Sequence, residues 1–180
     1  MTLPPSDSRV TGHVIISHGL HSSPDASKAT ALADMAQALG WSHERPDFRD
    51  LDGGSELGDV LARIVRLRQL ASAGRAPLVL AGSSMGAFIS ARVSLEVPLL
   101  GLFLMAPPTQ LEGFAITLEA APVPTRIVHG WHDELIPATE VVRWAQARSD
   151  HLVLVDDSHR LAGHVQFCAE EFARFLQGLS

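Results

Sequence analysis

Leu78-Val79-Leu80-Ala81-Gly82-Ser83-Ser84-Met85-Gly86-Ala87 joins an apolar, strand-like run to a helix-like segment through a G-x-S-x-G turn. The pentapeptide alone is degenerate, because small residues gather in many turns; its strand-before, helix-after setting gives it meaning. Such a turn predicts a strained backbone at Ser84 that lifts the hydroxyl clear of the sheet. Gly82 and Gly86 flank it because a Cβ at either place would meet neighbouring backbone.

Outward from this turn, short apolar runs alternate with helix-period segments. Strands are predicted over 12–17, 41–48 (the weakest), 77–81, 99–105, 125–129 and 151–155. Their Val, Ile and Leu content suits strands covered on both faces. Helices are predicted over 27–39, 56–71, 85–96, 138–147 and 165–176, the second with Leu57, Val60, Leu61, Ile64 and Leu67 on one stripe. The alternation predicts an α/β fold: a three-layer α/β/α sandwich around a mainly parallel sheet of about six strands. The 180 residues are expected to form one domain over 1–180, with 1–9 flexible.

Composition narrows the partners. A net charge of −6 without a basic run argues against nucleic acid. Thirteen of the fourteen basic residues are scattered arginines, Lys28 being the one lysine. No apolar run reaches membrane-spanning length, and residues 1–9 carry no signal-peptide pattern, so no membrane partner is expected. The lone Cys168 has no internal disulfide partner, which fits a reducing, cytoplasmic setting, and its helix-patterned surroundings suggest a core residue.

In an open parallel sheet, functional groups collect at the carboxyl ends of strands. Ser84 follows the strand at 77–81. Asp133 follows the strand at 125–129 within His129-Gly130-Trp131-His132-Asp133-Glu134, and His159 follows 151–155 within Asp156-Asp157-Ser158-His159-Arg160. A serine hydroxyl is too weak an acid to attack unaided. An imidazole can accept its proton, and a carboxylate can hold that imidazole in the right tautomer. The order nucleophile, acid, base is the α/β-hydrolase order among serine-hydrolase folds. A fourth strand end carries His18-Gly19-Leu20, whose loop can turn a backbone N–H towards a reacting carbonyl. Leu20 is the candidate donor, paired with the N–H of Met85 at a helix N-terminus.

Over nearly its whole length the chain resembles the α/β-hydrolase superfamily. More narrowly, His18-Gly19-Leu20-His21-Ser22-Ser23-Pro24, Ser27-Lys28-Ala29-Thr30 and the serine turn resemble the small capless bacterial serine esterases of the YqiA type. The resemblance implies a serine hydrolase of carboxylic esters or thioesters, with Ser84, Asp133 and His159 as its triad and a small-molecule substrate. It departs at Ala87, where those esterases often carry another Gly, and at Asp156-Asp157-Ser158, which replaces a glycine-rich approach to the histidine.

Each site residue has a rival. Ser83 lies one place off the motif's centre and should point away. Glu134, Asp156 and Asp157 compete with Asp133, whose spacing after the strand favours it; the loop pair reads as two solvated carboxylates. His164, on the brink of the last helix, competes with His159; the place of His159 just after the last strand favours it, though sequence alone does not close the choice. His129-x-x-His132-Asp133 mimics a ligand cluster but lacks a second matched set, so no metal is expected, and acyl transfer calls for no cofactor. His18 reads as a loop-organising residue and His129 as a structural strand-end residue.

Residues 106–124 are too few for a cap domain, and Leu111, Phe114, Ile116 and Leu118 could form an apolar wall beside Leu20 and Met85. Such a shallow pocket would favour short or medium acyl groups. Two other functions are compatible with the sequence: an amidase or peptidase using the same triad, and a non-catalytic binding protein that keeps the turn as scaffold. Oligomeric state is not legible.

Overall fold

The computed structural model describes residues 11–54, 56–73, 77–111 and 115–179, with side chains at 56–58 excluded. The expectation for 1–9 therefore lies outside the described residues, as do Phe114 and the side chain of Leu57. Six strands, β1 (His13–Ser17), β2 (Ser42–Glu44), β3 (Leu78–Ser83), β4 (Gly101–Met105), β5 (Thr125–Gly130) and β6 (His151–Val155), form one sheet in the order β2-β1-β3-β4-β5-β6. Every pairing is parallel. Among the described residues, five α-helices complete it: α1 (Ser27–Ala38), α2 (Glu56–Ala71), α3 (Met85–Ser94), α4 (Ala138–Arg148) and α5 (Val165–Gly178). Among the described residues, no helix is long and apolar enough to cross a membrane.

The period-two alternation of the strands divides the core. Val14, Ile16, Val79, Ala81, Phe103, Met105 and Val128 share one cluster with α1 and α5. Ile15, Leu80, Leu102, Leu104 and Ile127 share the other with α2, α3 and α4. On α1 the buried stripe is Ala29, Leu32, Ala33 and Ala36, one helical face. On α5, Phe172 meets Phe103 edge-on at 5.0 Å between ring centroids.

Two expectations are corrected. The second strand is three residues long instead of 41–48. Pro46 has no N–H to give the ladder, and Phe48 leaves the sheet to bury completely. On α2 the buried face runs through Val60, Arg63, Leu67 and Ala71, whereas Leu61 is 50% exposed. A fully buried arginine thus takes a place the apolar pattern assigned to leucine.

From β1 the chain moves to one side of the sheet to lay β2 and then crosses back to β3. The carboxyl ends of β1 and β3 therefore flank a topological switch point, where a crevice opens in folds of this kind. Ser84 follows β3 and Leu20 follows β1, so the sheet order itself sets them side by side.

Candidate active site

Ser84 occupies φ 53°, ψ −119°, a region that costs an L-residue about 1–3 kcal/mol and persists only where packing holds it. Its N–H bonds Met105 O at 2.9 Å, and its own carbonyl accepts the N–H groups of Ala87 and Phe88, starting α3. The turn is tight enough to demand its glycines. A Cβ on Gly86 would lie 2.0 Å from Ser17 O, and one on Gly82 would lie 2.3 Å from the backbone of Gly86.

Three side chains from three strand ends converge here. Ser84 Oγ lies 3.0 Å from His159 Nε2, and His159 Nδ1 lies 2.8 Å from Asp133 Oδ2. A carboxylate can only accept, so Nδ1 carries the hydrogen and Nε2 is left to accept from the serine hydroxyl. The Asp133 side chain is wholly buried. Burial alone would raise its pKa, but hydrogen bonds from His159 and from the Ile136 and Leu135 amides outweigh it and hold the carboxyl below the usual range. His129, fully buried, donates from Nε2 to Ile136 O at 3.0 Å and stands 3.5 Å from Asp133 Oδ2. Desolvation lowers its pKa, so it braces the turn as a neutral ring.

The rivals are accounted for one by one. Glu134 accepts the backbone N–H of His159 at 3.1 Å and touches the loop, not the ring. Asp156 pairs with His132 on the surface at 2.9 Å. Asp157 is not a solvated carboxylate: it receives the amides of Ser158 and Gly163 and, at 2.8 Å, His164 Nδ1. Burial opposes its charge, yet those bonds lower its pKa. Lys28 on α1 ties the same loop down by donating to Arg160 O. His164 therefore has a carboxylate partner of its own, separate from Ser84.

His129 and His132 face different ways, and among the described residues no three His, Cys, Asp or Glu side chains converge as metal ligands. Cys168 is fully buried and its thiol is pushed up to about 11 by desolvation, the opposite of an activated thiolate.

Around the serine, Leu20 and Met85 belong to the apolar cluster on the α3 side. Leu111 and Leu118 are 8% and 3% exposed, and they cover that core instead of lining a deep pocket. Beside them, Gln110 and Thr117 are joined by an isolated antiparallel bridge. Trp131 and Leu135, on the Asp133 loop, are 55% and 69% exposed. A cavity of about 620 Å³ lies at the opposite, amino end of β5 and β6. It carries Arg126 and Arg148, which pair with Glu171 and Asp150, and it is remote from the serine.

Sequence reading missed one residue at this site. Arg63 is fully buried and reaches the carbonyls of His18 and Gly19 on the loop beside Ser84. The available signal was its register: it lies three residues after Val60 and four before Leu67, on the apolar face of α2.

No protein-family model matches the sequence, and no curated protein matches it. Solved structures do. A Xanthomonas campestris pv. campestris protein classed as a hydrolase of the alpha/beta superfamily is 56% identical, with a TM-score of 0.90 over 93% of this chain and 99% of that one. An alpha-beta serine hydrolase homologue from Coxiella burnetii is 30% identical, with a TM-score of 0.72 over 92% of this chain and 85% of that one. A lidless alpha/beta serine hydrolase, also from Xanthomonas campestris, shares the fold at 22% identity and a TM-score of 0.76, over 98% of this chain and 86% of that one. On the strength of the first two, this chain is a member of the alpha/beta hydrolase superfamily.

Proposed function

We propose that this protein is a serine hydrolase of carboxylic esters or thioesters, working through an acyl-enzyme on Ser84. The observation that carries the reading is His159, which stands within hydrogen-bond reach of Ser84 Oγ on one side and of the buried Asp133 on the other. As Ser84 Oγ attacks the acyl carbon, its proton passes to His159 Nε2. The imidazolium is stabilised by Asp133 and then protonates the departing alcohol or thiol. Water repeats the sequence from the same side: it loses a proton to His159, attacks the acyl-enzyme, and Ser84 leaves with that proton.

The amides of Leu20 and Met85 are the proposed donors to the oxyanion, and among the described residues neither has a hydrogen-bond acceptor of its own. Met85 N–H also opens α3, whose dipole favours negative charge there.

Because Leu111 and Leu118 are committed to the core, little apolar wall remains for a long acyl chain, at about 0.8 kcal/mol per buried methylene. Short and medium acyl esters should be the best substrates. Fluorophosphonate labelling of the wild type but not of Ser84→Ala tests the nucleophile. A panel of esters, thioesters and amides of graded length tests the rest. An unlabelled wild type would sink the reading, and a rate maximum at long chains would sink the pocket.

A further inference from the structure

The loop after β1 is clamped through its carbonyls. Arg63 approaches it from α2 with its side chain wholly out of water. Two of the guanidinium nitrogens hold Asp52: Nε lies 2.9 Å from Oδ1, and Nη2 lies 2.6 Å from each carboxylate oxygen. That bidentate grip orients the plane of the guanidinium. Its remaining nitrogen, Nη1, is then aimed at the loop, 3.1 Å from His18 O and 3.5 Å from Gly19 O. The Phe48 ring lies under the cation, 5.2 Å from Cζ to the centroid.

His18 works on the same peptide. The Phe48 N–H donates to His18 Nε2 at 3.1 Å, so that nitrogen carries no hydrogen. Nδ1 is therefore the protonated one, and it donates to Gly19 O at 2.8 Å. Gly19 O is the acceptor on which both residues converge.

A peptide unit is planar and trans, so its C=O and N–H point in opposite directions. Tying Gly19 O back towards Arg63 and His18 turns the N–H of Leu20 the other way. The loop also runs against the nucleophile: a Cβ on Gly19 would stand 3.4 Å from Ser84 Cβ. We infer that Arg63, held by Asp52 and acting with His18, is a positioning residue that aims the Leu20 amide at the oxyanion. The inference rests on the acyl-transfer reading above.

An amide in an oxyanion hole contributes only if it is already pointed at the developing charge. Losing the clamp should therefore reduce kcat while leaving ground-state binding alone. A bare Arg63 truncation would strand the buried Asp52 charge, so the informative variant removes both charges.

The experiment follows 4-nitrophenyl acetate hydrolysis by wild type, Arg63→Lys, and the double variant Arg63→Met/Asp52→Leu, with a thermal midpoint for each. The double variant should lose about 10- to 100-fold in kcat with KM within about twofold. Arg63→Lys, which keeps a donor but not the fork, should fall between it and wild type. Inhibition by phenylboronic acid, whose tetrahedral adduct on Ser84 places an oxygen where the oxyanion forms, should weaken in step with kcat/KM.

A merely structural role would lower the thermal midpoint without that correlation. If either variant keeps wild-type kcat, or loses only KM, the positioning role is wrong. Should the double variant fail to fold, Arg63→Lys alone decides. A wild type that neither hydrolyses the ester nor takes a fluorophosphonate label would instead overturn the acyl-transfer reading, and this inference with it.

Discussion

Two histidines that follow β6 each face an aspartate, and the pairs differ in everything except their distance. His159 and Asp133 are 2.8 Å apart, as are His164 and Asp157. The first pair bridges two strand ends and leaves Nε2 facing a serine hydroxyl 3.0 Å away. The second is local: its carboxylate is occupied by the amides of Ser158 and Gly163, and it folds the loop back on itself. A dyad distance alone therefore says little about chemistry. What separates the pairs is the third group and the wholly buried carboxylate, which can stabilise an imidazolium that water does not screen.

The largest effects should come from breaking the first pair while sparing the second. Ser84→Ala and His159→Ala should each reduce ester kcat by about 10⁴-fold or more in a protein that still folds, whereas His164→Ala should stay within about tenfold of wild type. The reverse ranking of the two histidines would exchange their roles.

The carboxylates sharpen the contrast further. Asp133→Asn keeps the shape but reverses the hydrogen-bond demand on Nδ1, favouring the wrong tautomer; kcat should fall about 10³- to 10⁴-fold with little change in KM. Asp157→Asn still accepts one loop bond, so its main loss should appear as a lower thermal midpoint. Steady-state kinetics and thermal unfolding on the two variants read this directly.

The smallest effect is in acid. Asp133 and Asp157 both titrate below the ordinary carboxylate value of 3.8 when folded. The unfolded chain then binds more protons, so both carboxylates contribute stability above about 3.8 that is lost as pH falls through their folded values. His18 and His129, lowered from 6.5 mainly by desolvation, add an earlier loss that begins as pH drops below 6.5. Urea midpoints from pH 7 to 3 should fall in these two stages, and His18→Gln should flatten the first. A midpoint constant between pH 6.5 and 5 would contradict the neutral, buried state of both rings.

Most of the fold was legible because parallel strands covered on both faces advertise themselves as apolar runs. Five of the six stand within two residues of their expected bounds. The edge strand was overcalled, since a proline and a departing phenylalanine ended its pairing after three residues. Asp157 was read as solvated because a bond to a backbone amide leaves no mark in composition.

The turn 82–86, its place between strand and helix, and the candidate groups at four strand ends are all local information, legible along the chain. Chain order and strand periodicity suffice for that. Which histidine faces Ser84, which carboxylate faces that histidine, and what stands behind the Leu20 loop were decided only in three dimensions. Each depends on side chains brought together across the sheet: His159 is 75 residues from Ser84, and Arg63 is 45 residues from His18. The buried arginine is the sharpest case. A charge on an apolar face is unfavourable when read alone, and only its partners Asp52, His18 and Gly19 explain why it is there.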